Sequence, residues 1–164
     1  MLLFLSGAGF FLSFLLIYFN AKRFPSSVYL GLFFLLSSFY GLSQYVVLYS
    51  KSVNTIAVCY LNMAFLSYLT GPMLYFYVRS LLSDVSRFKW WDLLQFLPAV
   101  VVLFATANHL FSPWEYKTDI AIKIIADRSY VWKTNYILTN QYYPVFINFI
   151  SRPFLLLLYS LISF

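Results

Sequence analysis

The side chains that could do chemistry in this chain are few and scattered. His109 is the only histidine and stands where an apolar run gives way to a polar segment, so no imidazole cluster exists to hold a transition metal. Cys59 is the only cysteine; it lies inside an apolar run and has no intrachain partner for a disulfide. The acids Asp84, Asp92, Glu115, Asp119 and Asp127 all fall between the apolar runs. That leaves no intramembrane carboxylate for a proton relay or a cation site, groups that a proton-coupled transporter or an intramembrane protease would need. No H-E-x-x-H, G-x-S-x-G or P-loop pattern occurs. The expectation is a protein that is not an enzyme and uses no metal and no cofactor.

Three polar residues do fall inside apolar sequence: Gln44, Asn62 and Arg152. A neutral amide in a span ordinarily hydrogen-bonds a neighbouring helix, for about 0.6 kcal/mol on average, and that is the expected role of Gln44 and Asn62. Arg152 poses a harder problem, because an arginine at mid-membrane costs at least about 2.5–3.5 kcal/mol. Either it sits near the interface and snorkels, with Pro153 marking a helix start, or it faces a polar cavity within the bundle.

The elements that must position these groups follow from charge spacing. Residues 1–21, 24–50, 52–78 and 93–114 contain no Asp, Glu, Lys or Arg, and 134–164 is interrupted only by Arg152. Each run meets the roughly 20 residues that cross a ~30 Å hydrocarbon core as a helix. The chain is 62% hydrophobic and 10% charged, with mean hydropathy +0.78, against about 25% charged residues in soluble domains. The predicted fold is all-α: one polytopic transmembrane helix bundle with spans near 2–19, 27–49, 55–79, 91–108 and 142–164. A longer polar segment, 109–141, separates the last two. Within it Ile120, Ile122 and Ile124 alternate as in a strand, whereas Ile120, Ile124 and Ile125 suit an interfacial helix.

Aromatic pairs such as Tyr18 and Phe19, Trp90 and Trp91, and Tyr142 and Tyr143 stand at the expected boundaries, as interfacial anchors do. The first run lacks the basic start and small-residue cleavage site of a signal peptide, so it reads as a retained anchor. The net charge of +6 sits in loops, where anionic headgroups are the natural partner, and no nucleic-acid footprint appears. The expected partners are the lipid bilayer and other membrane helices or a second copy of the chain. Lys22, Arg23, Arg79, Arg87 and Lys89 lie densely beside span ends, favouring an outside N-terminus with loops one and three in the cytoplasm.

Small residues recur on single helical faces: Ser6, Gly9 and Ser13; Ser37, Gly41 and Gln44; Ala64, Ser67 and Gly71. Close helix packing is their usual purpose, and a ligand groove along the same stripes is the functional alternative. Gly71-Pro72 predicts a kink inside span three, with the carbonyl near Tyr68 left without its partner. A fixed bend is the ordinary outcome; two bend states biased by a ligand would make it a switch.

The segment Thr70-Gly71-Pro72-Met73-Leu74-Tyr75-Phe76-Tyr77-Val78-Arg79-Ser80-Leu81-Leu82, followed by Asp92-Leu93-Leu94-Gln95-Phe96-Leu97-Pro98, resembles the membrane region of AraC-type helix-turn-helix transcriptional regulators common in Bacteroidetes. In that family a multi-span N-terminal region precedes a cytoplasmic DNA-binding domain. Gln95 stands where the family pattern has histidine. The matching positions are Gly71, Pro72, Tyr75, Arg79, Ser80, Phe96 and Pro98, and the resemblance implies an architectural or switching role for them. It also implies a sensory and anchoring segment in the bacterial inner membrane, with DNA bound only by a domain beyond Phe164. A chain that stops within apolar sequence is expected to be a fragment of a longer protein.

Overall fold

The computed structural model describes residues 1–83, 89–133 and 145–162, and every element among them is helical. Helix α1, Leu2–Leu15, runs on through a π-helical turn, Leu16–Asn20. Pro25 then precedes α2, Ser26–Tyr49. Ser52 opens α3, Val53–Cys59, by accepting a hydrogen bond from the Thr55 amide at 3.5 Å. After a break come α4, Ala64–Ser67, and α5, Thr70–Ser83. A 3₁₀ turn, Trp90–Phe96, leads into α6, Leu97–Leu110, with Pro98 in its first turn, where its missing N–H costs nothing. Helices α7, Trp114–Ala126, α8, Tyr130–Lys133, and α9, Val145–Ile162, complete the fold. Asp84, Arg87, Tyr142 and Tyr143 lie outside the described residues.

Among the described residues, three helical stretches are long and apolar enough to cross a membrane: Leu2–Asn20, Ser26–Tyr49 and Trp90–Leu110. A fourth exists if Val53–Cys59 and Ala64–Leu82, bent by 43° to each other, count as one broken span. The exterior suits lipid. Phe4, Phe11, Phe104 and Leu157 are exposed, whereas Ser6, Ser13, Ser38, Ser67 and Thr106 are buried. This inversion of the soluble pattern follows when the surroundings are as apolar as the side chains and only small residues let helices close on each other.

The small-residue stripes do pack. Helices α1 and α2 form an antiparallel hairpin in which a Cβ on Gly41 would fall 2.5 Å from Ser6 Oγ, and one on Gly31 would fall 2.6 Å from Ile17 Cγ1. Gly9 faces Ser38 in the same interface. Gln44 is only half-buried, so the α2 stripe runs through Gly31, Ser38 and Gly41 instead.

Span three departs most from expectation. The predicted single helix, 55–79, is interrupted at Tyr60–Met63, ahead of Gly71-Pro72, and Leu61 takes the left-handed φ of 58°. A non-glycine residue seldom adopts that conformation. A second, milder interruption at Tyr68–Leu69 matches the kink expected from Pro72, since proline cannot donate to the Tyr68 carbonyl. Pro72 itself lies in the first turn of α5.

In the polar segment the alternation of isoleucines resolves as a helix. Ile120 and Ile124, one turn apart with Ala121 beside them, are buried against Ile56, Ala57 and Tyr60, while Ile122 is exposed. Helix α7 thereby caps the end of the bundle where α2 and α6 finish and α3 begins. Opposite this α7 end lie the connection after α1 and the 3₁₀ turn. Helix α9 lies along α5 and runs from the level of Tyr68 toward Gln95 in the 3₁₀ turn.

Candidate functional site

Arg152 lies inside α9 with Pro153 beside it, well after the helix starts at Val145, so proline does not place the arginine at an interface. Its guanidinium carbon sits 4.5 Å from the Tyr40 ring centroid and 5.6 Å from that of Tyr68. Tyr40 fixes the depth. On α2 it is about 14 Å from the Tyr49 end and about 21 Å from Ser26, at roughly 1.5 Å per residue. In the structure Arg152 therefore lies between helices, beside the middle of α2 and away from the start of α9.

Two tyrosine faces each contribute about 1–2 kcal/mol to a desolvated cation, which is comparable with the cost of bringing arginine to that depth. They supply no negative charge. Among the described residues, Arg152 Nε is buried without a hydrogen-bond partner and neither ion pair includes it.

The neighbouring residues build a polar patch in apolar walls. Tyr68 Oη and Ser151 Oγ share a hydrogen bond of 2.6 Å. Ser67 and Thr70 turn their hydroxyls back onto the Ala64 and Ser67 carbonyls, each at 2.6 Å, which satisfies the backbone around the second interruption. A cavity of about 10 Å³, room for roughly one water, lies among Tyr68, Gly71, Arg152 and Tyr159. On the other side of Tyr68 and Ser151, an open groove of about 280 Å³ between α6 and α9 is walled by Leu97, Val101, Val102 and Leu155.

Gly71 permits this arrangement: a Cβ there would enter the Tyr159 ring, so α9 could not approach α5. The Tyr159 hydroxyl donates to the Gln95 carbonyl at 2.5 Å. Arg79 pairs with Asp92, and its guanidinium also lies 5.2 Å from the Phe76 ring centroid and 5.5 Å from that of Tyr75. Asp92 is buried, and its second oxygen accepts from the Lys89 amide at 2.6 Å. The carboxylate assigned from sequence to a connection therefore lies within the apolar stretch Trp90–Leu110, where it is already neutralised by Arg79.

Asn62 differs from expectation too. Its amide nitrogen donates to the Ala57 and Val58 carbonyls at 3.1 and 2.9 Å, closing the end of its own helix α3 instead of bridging to a neighbour. Its Oδ1 is buried with no partner among the described residues. Gln44 makes no side-chain hydrogen bond among them.

His109 stands at the boundary expected of it, in the last turn of α6, and is buried there edge-on to Tyr60 and Tyr116 with centroids 6.0 Å away in each case. Its Nε2 has no hydrogen-bond partner among the described residues. Burial pushes the Tyr116 phenol above its ordinary range. At the same end Lys117 Nζ donates to the Leu110 carbonyl at 2.8 Å, and Arg128 donates to the carbonyls of Val47 and Ser50 at 2.7 and 2.6 Å. Both cations close the C-terminus of a helix, where free carbonyls and the helix dipole favour positive charge.

The Arg152 sandwich and the Asp92 pair were not foreseeable from spacing, since their partners come from distant parts of the chain. The one available signal was the arginine inside an apolar run. Comparison with family models, with curated proteins and with solved structures finds no match to this chain.

Proposed function

We propose that the chain is the membrane-embedded sensory and anchoring segment of a one-component transcriptional regulator in the bacterial inner membrane. It would pass a signal to a cytoplasmic DNA-binding domain beyond Phe164. The topology proposed with it has five spans, the fifth near 142–164 running inward, and an outside N-terminus. The residue pattern from Gly71 through Pro98 supports the family.

The observation that carries the mechanism is the attachment of α9 at two depths. Ser151 and Arg152 hold it to Tyr68 and Tyr40, and Tyr159 holds it to Gly71 and the Gln95 carbonyl. A group bound near Tyr68 would bias α9 against α5. That bias would reach the 3₁₀ turn that Arg79 and Asp92 clamp, on the proposed cytoplasmic side. The direct test is the DNA downstream of codon 164. An open frame continuing into two helix-turn-helix units supports the regulator, and a stop codon removes it.

A small transporter or channel-like subunit is the second reading, favoured by the break at Tyr60–Met63 with its left-handed Leu61 and an Asn62 Oδ1 that has no partner among the described residues. Discontinuous helices line substrate sites in transporters. Uptake of solutes into proteoliposomes containing the chain would support it.

A further inference from the structure

The structure assigns the outward face of the 3₁₀ turn and the first half of α6 to one anionic glycerophospholipid, with its phosphate at Lys89 and one acyl chain lying inward from Trp90 to Val100. A groove of about 420 Å³ runs along that face, lined by Trp90, Trp91, Leu93, Leu94, Leu97 and Val100. All six are exposed, the two tryptophans at 76% and 71%, so no described helix covers them. Val100 stands about 15 Å beyond Trp90 along the helix, at roughly 1.5 Å per residue. That is half of a ~30 Å hydrocarbon core, the depth of a single leaflet. A groove of that length, opening at two indoles that favour headgroup depth, fits one chain of a lipid held at the boundary.

The headgroup's charge follows from the cation at the mouth of the groove. Lys89 is exposed and directly precedes Trp90, so cation and groove are joined by one peptide bond. Its backbone amide donates to Asp92. Asp92 is the one acid described at this end of the bundle, and Arg79 already neutralises it. Among the described residues no carboxylate pairs with Lys89, nor with the exposed Lys22 and Arg23 of the connection after α1 at the same end. The end therefore carries excess positive charge beside an uncovered apolar face, the combination that an anionic lipid satisfies. Phosphatidylcholine brings its own cation into that field, whereas phosphatidylglycerol brings net negative charge. The exposed indole N–H groups of Trp90 and Trp91 are further donors at the depth of the phosphate and ester oxygens.

This site depends on the membrane placement of the chain and not on the regulator reading, so it is tested on the chain alone. Trp114→Phe and Trp132→Phe leave Trp90 and Trp91 as the two tryptophans of the chain. That chain is placed in phosphatidylcholine vesicles with increasing phosphatidylglycerol brominated near the headgroup end of one acyl chain, and tryptophan quenching is read. Quenching should saturate, with phosphatidylglycerol favoured about tenfold over equally brominated phosphatidylcholine. Lys89→Gln should lower that preference about fivefold, and Lys89→Arg should keep it within about twofold. Lys22→Gln with Arg23→Gln removes two charges from the same end but leaves the one at the groove, and should lower the preference less than Lys89→Gln does. Leu94→Phe with Val100→Phe fills the groove and should reduce quenching by both lipids. Glycerol phosphate, a headgroup without a chain, should give no protection. Equal quenching by the two lipids, an unchanged preference in Lys89→Gln, a larger loss in the Lys22 and Arg23 pair, or protection by glycerol phosphate would each overturn the site. If Lys89→Gln loses its helical circular dichroism, the groove-filling variant decides, and undiminished quenching there overturns the site.

Discussion

Arg79, Arg128 and Arg152 are each partly buried cations, and each is stabilised differently. Arg79 uses a buried carboxylate, Arg128 uses the free carbonyls at the end of α2, and Arg152 uses the faces of two tyrosines. The first arrangement is the most sensitive to loss of one partner, because an unpaired buried charge remains. Arg79→Met should therefore destabilise the protein by about 3 kcal/mol, read as a lower midpoint of thermal unfolding in detergent. The double variant Arg79→Met, Asp92→Leu should recover most of that loss; no recovery would mean the pair is not buried as described. Arg128→Ala should cost about 2 kcal/mol, since it uncaps α2 through two charge-assisted bonds. Hydrogen exchange confined to the last turn of α2 would register it.

The elements behave as their terminators and small residues dictate. Proline explains the interruption at Tyr68–Leu69, but the larger break at Tyr60–Met63 contains neither proline nor glycine. It persists because Asn62 closes α3 and because Tyr60 reaches across to the Val131 carbonyl at 3.3 Å. Close approach is the other determinant. Gly71→Leu should push α9 off α5 through the Tyr159 ring, and a Tyr159→Ala change in the same chain should restore part of the packing. In the full-length protein that the proposed function requires, the single variant should alter reporter transcription at unchanged membrane levels. A normal response would show that the α5–α9 contact does not carry the signal.

The whole molecule is arranged so that α2 and α6 end beside α7, while the connection after α1 lies at the opposite end. Cysteines placed at Lys22 and Glu115 in a Cys59→Ser background should react with a membrane-impermeant reagent from opposite sides. Labelling of both from one side would contradict this arrangement. Extraction provides the coarser check: the chain should stay with vesicles through alkaline carbonate and need detergent to become monodisperse.

Much of this architecture could be read from residue types. An uncharged run of membrane length is a local property, since burying backbone polar groups in lipid leaves the helix as the one solution within a single segment. The helical class and the spans near Leu2, Ser26 and Trp90 followed from that, and the Ser6, Gly9 and Ser13 stripe of α1 from its spacing, whereas the α2 stripe did not run through Ser37 and Gln44 as expected. Which charge is neutralised by which group is not local. Tyr68 and Ser151 are 83 residues apart, and Arg128 caps a helix through carbonyls 81 and 78 residues away. Asp92 looks like a loop residue until Arg79 is placed against it, and Asn62 looks like a bridge until α3 ends beneath it. Hydrophobic length is a sum along the chain, so sequence alone determined the helices and that several of them are long and apolar enough to cross a membrane. Electrostatic compensation depends on neighbours in space, so only the tertiary structure decided that Arg152 stands between two tyrosine rings, with no counter-charge among the described residues.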